Sequence, residues 1–293
     1  MPDLFSDCAN AQDLSYRNIC AGNHRINQQI KVFCESLWHR FEPYADAHFL
    51  TQIKSHFYER YWEMYLTCCL IDWGFGVQSS EHGPDILIKD NNLRIWIEAV
   101  TSGNGDPISN LDIVPDIETG IAQRVPERRI ILRIRSSIEN KLQVYHNYIR
   151  DSIIESNEPF IIALNGAKLN FMSRDDDIPY ILKSILPIGD HYYNFETETA
   201  GITHRDTIVR ENGAEVSTNV FLDDNYRHIS AILYSNTHAG RYDEDIGSDF
   251  LLIHNPKASN PLPTDIIQMG SIIRIQINEE NNTFSYCLED VLT

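Results

Sequence analysis

Residues 83–100, GPDILIKDNNLRIWIEAV, constrain this chain more tightly than any other stretch. Ile86, Leu87 and Ile88 make a short aliphatic run. Lys89-Asp90-Asn91-Asn92 is turn chemistry, with two Asn that tolerate left-handed backbone. Arg94, Trp96 and Glu98 then alternate with Ile95, Ile97 and Ala99 at the strand period of two. The pattern predicts a β-hairpin. Asp85 opens its first strand and Glu98 lies near the end of its second, so antiparallel pairing makes the two acids neighbours. Two carboxylates on a rigid hairpin form a minimal site for a hard cation such as Mg²⁺. The competing reading is a hairpin with two exposed acids.

The flanks add order. Apolar residues recur helically over 25–41, and Pro43 ends that helix. A second helix is expected over 49–73, with Tyr58, Trp62, Leu66, Cys69 and Trp73 as its stripe and Gly74 as its C-cap. Glu59 and Glu63 edge that stripe, which places Glu63 beside the buried side. Residues 74–78 read as a strand. Residues 101–127, rich in Gly and Pro, read as a long loop, with a lid over the hairpin end as one use for it. Residues 130–134 suit a strand or the approach to a helix. Ser136 or Ser137 then caps a helix running to about 149, on which Lys141 and Tyr145 share a face. Residues 159–165 are apolar without alternation, a buried strand.

The remainder is less periodic. A short helix is expected over 180–186, strands over 228–234 and 249–254, and a hairpin from 272–277 to 283–287. Asp175-Asp176-Asp177, His191 and His204 lack metal spacing, and His254 and Asn255 read as structural. These segments are expected to extend one sheet. The organisation expected is a helical extension over 1–48, a core over 49–165 and an α/β extension over 166–293.

Pro84-Asp85, twelve further residues, then Glu98-Ala99-Val100, preceded by a helix carrying Glu63, resembles the PD-(D/E)XK nuclease superfamily. The order helix, three strands, helix, strand over 49–165 is similar to that superfamily's core. The resemblance implies an α/β fold, with a central mixed sheet flanked by helices in a restriction-endonuclease-like arrangement. It implies metal-dependent hydrolysis of a phosphodiester in DNA or RNA. Asp85 and Glu98, with a carbonyl near Val100, would hold Mg²⁺ or Mn²⁺, and Glu63 would hold a metal-bound water. Val100 stands where the superfamily has its Lys. Lys141 is the candidate replacement, because in several branches that Lys has moved to the following helix. Gln143 and Tyr148 resemble a Gln–Tyr pair found on this helix in some branches, but they are five apart rather than four and are set aside. Arg133 and Arg135 would clamp the phosphate. The rival expectation is a nuclease-fold binding module without catalysis, serving a regulatory or defence system.

Charge bears on the partner. The net charge of −18 opposes nonspecific affinity for nucleic acid. Residues 123–150 nevertheless carry seven basic residues against two acidic ones. That stretch is either a phosphate-facing surface or a solvated face paired with neighbouring acids. No apolar run is long enough to span a membrane, so no membrane partner is expected. The acidic, polar N-terminus does not read as a secretory signal. The six cysteines show no metal spacing, and all are read as reduced in a cytosolic protein.

Overall fold

The computed structural model describes residues 2–80, 82–90, 93–106, 112–172, 178–241, 245–278, 280 and 283–291. The turn residues Asn91 and Asn92, the acidic run 175–177 and the turn at 281–282 lie outside them. Eight strands form one mixed sheet in the order β1-β2-β3-β4-β9-β10-β11-β12. Strands β1 (Gly76–Ser79), β2 (Ile86–Asp90) and β3 (Leu93–Thr101) are an antiparallel meander. β4 (Phe160–Asn165) lies parallel to β3, and β9 (Ala231–Ser235) parallel to β4. β10 (Leu251–His254) is antiparallel to β9, and the hairpin of β11 (Ser271–Asn278) and β12 (Thr283–Asp290) closes the far edge. The C-terminal strands thus continue the same sheet. Strands β5 to β8 form two separate two-stranded ribbons: β5 (Ile188–Asn194) with β6 (Thr199–His204), and β7 (Thr207–Val209) with β8 (Glu215–Ser217).

Strand alternation divides the core between the two faces of the sheet. Ile86, Ile88, Ile95 and Ile97 pack on one face against α1 (Leu14–Ala21), α2 (Arg25–Phe41) and α4 (Phe57–Asp72). Leu87, Trp96, Phe160 and Ile162 pack on the other against α5 (Glu127–Arg150) and α6 (Tyr180–Ile185). β4 is buried at all six positions, as a central strand covered on both faces must be. Among the described residues, no helix is long and apolar enough to cross a membrane.

Three expectations need correction. The helix expected over 49–73 is two helices, α3 (Phe49–Gln52) and α4, separated by a turn at 53–56. Its C-terminus is as expected: Gly74 has φ +83°, and the amide of Phe75 donates to the Leu70 carbonyl at 3.1 Å, closing the last turn with a residue free to adopt left-handed backbone. Second, Ser136 and Ser137 cap nothing. α5 starts at Glu127, and the two hydroxyls donate to the carbonyls of Leu132 and Arg133, four residues back. Such back-bonding lets Ser sit inside a helix, and the run 130–134 is helical because the sheet and α6 bury Ile130, Ile131, Leu132 and Ile134. Third, Cys8 and Cys20 form a disulfide, with Cα atoms 5.6 Å apart. The turn before α1 brings together two residues whose spacing carries no signal. Cys34, Cys68, Cys69 and Cys287 are free.

Candidate functional site

The hairpin register places the two acids. Ile86 stands opposite Ile97 and Leu87 opposite Trp96. One step further, Asp85 falls opposite Glu98. Directly opposed antiparallel residues have Cβ atoms roughly 4.5–5.5 Å apart. Alternation puts both on the face that carries Leu87 and Trp96, the α5 face. Asp85 is oriented by the Ala99 amide, which donates to its Oδ2 at 2.7 Å. The expected juxtaposition of Asp85 and Glu98 is therefore present.

Lys141 reaches the same point from α5. Its Nζ donates to Glu98 Oε1 at 2.5 Å. The other Glu98 oxygen accepts from the Tyr148 hydroxyl at 3.2 Å. Lys141 and Tyr148 are seven apart, two helical turns, so they lie on one face of α5. Gln143 points to solvent. Tyr148 thus belongs to the site although its spacing from Gln143 had set it aside; the informative interval was the one to Lys141. Val100, on the Glu98 side of β3, is half-buried against the second core. An ammonium thus reaches Glu98 from α5, the helix that packs on the Val100 side of the sheet.

Glu63 approaches from α4. Its side chain is 13% exposed and pairs with Arg60 Nη1 at 2.7 Å. Arg60 also binds Asp46 and stacks over the Phe49 ring. Sequence reading missed Arg60, whose i,i+3 relation to Glu63 was the available signal. Glu59, one turn earlier on the same edge of α4, pairs with Lys168 instead.

The electrostatics tie the acids together. Burial, opposed in part by Arg60, pushes the Glu63 carboxyl up to about 8, and the negative fields of Asp85 and Glu98 add to the rise. Glu98 is pushed up to about 7, first by burial and then by Asp85, against the pull of Lys141. Asp85 is also raised, by burial, with Lys141 and the Ala99 amide opposing. Burial and the neighbouring carboxylates raise the Tyr148 hydroxyl, so it remains a donor at neutral pH. Asp85 and Glu98 could share a cation, and oxygen-only donors suit Mg²⁺ or Mn²⁺. Among the described residues, no three His, Cys, Asp or Glu side chains are gathered into a metal-holding group. The fitting arrangement is two carboxylates, Asp85 and Glu98, completed by water, as Mg²⁺ commonly accepts.

The two arginines assigned to the phosphate are each engaged within the protein. Arg135 is 3% exposed at its side chain and binds Glu139. It also donates to the Ser217 carbonyl and the Tyr226 hydroxyl. It ties α5 to β8 and the 224–226 turn, a structural part. Arg133 donates to the Gly103 carbonyl at 2.8 Å, pinning the loop that follows β3. That loop is stapled again where Arg129 donates to the Ile113 carbonyl and the Asn170 amide to the Pro115 carbonyl. Its described residues Gly103, Ile113 and Pro115 are thus tied to the N-terminal half of α5 and to Asn170. Asn255 bridges the carbonyls of Tyr226 and Ile229, a structural role as expected.

Tyr148→Phe tests whether the hydroxyl tunes Glu98. Losing one hydrogen bond to a charged acceptor costs about 1.5–3 kcal/mol when the acceptor is ionised. The stability deficit should therefore be larger at pH 8 than at pH 5.5, as read by urea denaturation. Equal deficits at both pH values would show that the hydroxyl does not sense the Glu98 charge.

The chain matches no known family model, no curated protein and no solved structure.

Proposed function

We propose that this chain hydrolyses phosphodiester bonds in nucleic acid with a divalent cation, on a PD-(D/E)XK-like core whose catalytic Lys comes from the helix after the hairpin. The observation that carries the reading is the Lys141–Glu98 contact of 2.5 Å on the face where Asp85 stands opposite Glu98. The order of helix α4, strands β1 to β3, helix α5 and strand β4 supports it, since that order is what the resemblance implies. So does the approach of Glu63 from α4.

Asp85 and Glu98 would hold the cation, which when bound neutralises charge on the phosphate and acidifies water. Lys141 holds a proton at Nζ and directs positive charge to the point where the phosphoryl oxygens gain charge. Tyr148 fixes the second oxygen of Glu98, so that carboxylate cannot rotate away. Glu63, with its proton affinity raised to about 8, is largely protonated at neutral pH and is suited to hold a water by hydrogen bond beside Asp85 and Glu98.

The test uses purified protein with short single- and double-stranded DNA and RNA at low salt. Cleavage should require Mg²⁺ or Mn²⁺. It should rise between pH 6 and pH 8, because a ligand carboxylate binds metal only when ionised and Glu98 sits near 7. Cleavage that persists in excess chelator would reject the mechanism.

One observation favours the second reading, a binding module without cleavage. Much of the positive charge over 123–150 is already engaged: Arg128 and Arg129 with Glu211, Arg135 with Glu139, Arg150 with Asp151 and Lys141 with Glu98. Binding of an oligonucleotide with no cleavage under any cation would select that reading.

A further inference from the structure

The ribbon of β5 and β6 is tied down at its base and bare beyond it. Asp190 binds Lys183 of α6 at 2.5 Å, and Arg205, just past β6, binds Glu127 of α5 at 2.7 Å. From Asp190 onward every β5 residue is exposed, as are the turn 195–198 and the first two residues of β6. Successive strand residues point to opposite sides, so both faces of the ribbon are uncovered. Tyr192, Tyr193 and Phe195 are 47%, 52% and 87% exposed. The rings of Tyr193 and Phe195 meet edge to face at 5.0 Å. Tyr192 lies over Gly201, where a Cβ would come within 2.9 Å of its ring. A two-stranded ribbon alone is only marginally stable in water. Exposed aromatics gathered on one such element mark a contact surface.

Charge narrows the partner. Residues 188–204 hold Asp190, Glu196 and Glu198 and no Lys or Arg. Aromatics can serve as stacking platforms for bases, but a strand of phosphates would meet Glu196 and Glu198 at the tip. The tip instead suits a surface that is basic and apolar.

That surface lies at the base of the same ribbon. A cleft of about 760 Å³ opens at the N-terminal end of α5. Arg124, Arg128, Arg129 and Arg205 line it against Glu127 and Asp190, an excess of two positive charges. Glu211 and Lys183, bonded to those walls, add one charge of each sign. The lips are apolar. Ile117 and Ile121, on the loop between Pro115 and Arg124, are exposed, and so is Val209, whose carbonyl accepts from Arg128.

The tip carries an aromatic ring and two carboxylates, the complement of the cleft. Asp190 lines the cleft and Phe195 is five residues further on, roughly 17 Å along an extended strand. The tip is thus carried away from its own cleft. A two-fold axis through the middle of the ribbon reverses its direction and brings each tip to the other copy's cleft. At the exposures above, the three aromatics of two copies can bury roughly 550–900 Å² in all, since each such side chain carries about 150–250 Å². With the aliphatic lips this approaches the roughly 1,000 Å² that a stable interface needs.

We propose that a second copy of this chain docks here. The β5–β6 ribbons of the two copies lie antiparallel about a two-fold axis, and the Phe195 tip of each seats in the cleft of the other, with Glu196 and Glu198 facing its arginines. The contact is isologous, as a closed dimer requires, and does not rest on the cleavage reading.

Sedimentation equilibrium of the full chain over about 1–100 μM reads the self-association. Twice the chain's mass is expected at the upper end. Phe195→Ala should weaken the dimer about tenfold or more. Arg124→Glu, and Glu196→Lys together with Glu198→Lys, should each weaken it several-fold by placing like charges together. All four positions are exposed. Mixed one to one, the two charge variants should recover dimer, because each altered tip then meets an altered cleft and each native tip a native one. Glu98→Gln should dimerise as the wild type does, so failure of the cleavage reading and failure of this one are told apart. A chain that stays monomeric across the range overturns the proposal; if its binding of a single-stranded oligonucleotide then falls with Phe195→Ala, the ribbon belongs to a nucleic acid instead. A dimer that Phe195→Ala and both charge variants leave unchanged is built by another face and also overturns it, as does a mixture that recovers no dimer.

Discussion

Glu98→Gln is expected to raise the stability of the metal-free protein at pH 8 while removing its cleavage and its stabilisation by divalent cations. The side chain is 5% exposed and stands opposite Asp85, so its ionised form carries both a burial cost and a like-charge cost. Its proton affinity is raised to about 7 against an ordinary value of 4.5. Between those two pH values the folded state binds more protons than the unfolded one. Stability therefore falls as pH rises through that window, and the full penalty stands above about pH 7. At 1.36 kcal/mol per pK unit the ceiling is about 3 kcal/mol. Sharing the proton with Asp85 reduces what this one residue contributes, so about 1–2 kcal/mol is expected. Gln resembles the protonated acid, so the variant should match the wild type near pH 5 and exceed it at pH 8 in urea denaturation. Mg²⁺ should stabilise the wild type by mass action and leave the variant unchanged. Cleavage should fall by about 10²–10³-fold or more, the scale of removing one preorganised charge-stabilising group. A stability difference independent of pH would mean that the Glu98 charge is not strained by its neighbours.

The parts of this architecture legible in the sequence are those where one physical signal dominates. The hairpin alternation from Leu93 to Thr101 and the unbroken apolar run of β4 are set by burial on one or both sheet faces, which composition records directly. The start of α5 was not legible. The run Ile130-Ile131-Leu132 is as compatible with a strand as with a helix, and Ser136 and Ser137 imitate caps. The choice is made by the sheet and α6, which bury the run on both sides. The break between α3 and α4 is similar, since the stripe continues across it while the backbone turns at 53–56.

The site divides the same way. Asp85 and Glu98 were legible because a hairpin is local and its register follows from its length. Lys141 was found through the resemblance, and its contact with Glu98 depends on how a helix 43 residues further on lies over the sheet. Tyr148 was missed because spacing was measured from Gln143, which faces solvent, rather than from Lys141. Arg135 was misassigned because charge in a sequence does not say whether a partner awaits it. Here Glu139 does, four residues on, with the Ser217 carbonyl and the Tyr226 hydroxyl far away in the chain.

Lys141→Met should cut cleavage sharply while keeping the response to Mg²⁺. The Met side chain preserves the aliphatic stem against α5's neighbours, and Asp85 and Glu98 remain to hold the cation. The ammonium is lost from a buried carboxylate whose ordinary ionisation it supports, so the Glu98 proton affinity should climb further above 7. Stability should drop by about 1–2 kcal/mol at pH 8 and by less at pH 5.5, where the acid is already protonated; the partial exposure of Lys141, 22% at the side chain, keeps this below the 3–5 kcal/mol of a fully buried pair. Cleavage should fall about 10²–10³-fold. A second change makes the test specific to charge placement. Val100 is two residues beyond Glu98 and on the same face of β3, so Val100→Lys in the Lys141→Met background returns an ammonium to the same carboxylate from the strand. At least tenfold recovery of cleavage is expected, since the chemistry requires a cation at that point and not a particular helix. Cleavage by Lys141→Met at the wild-type rate would remove Lys141 from the mechanism. Loss of the Mg²⁺ response together with cleavage would instead mean that Lys141 works by holding Glu98 in place, and the double variant would then be expected to recover both or neither.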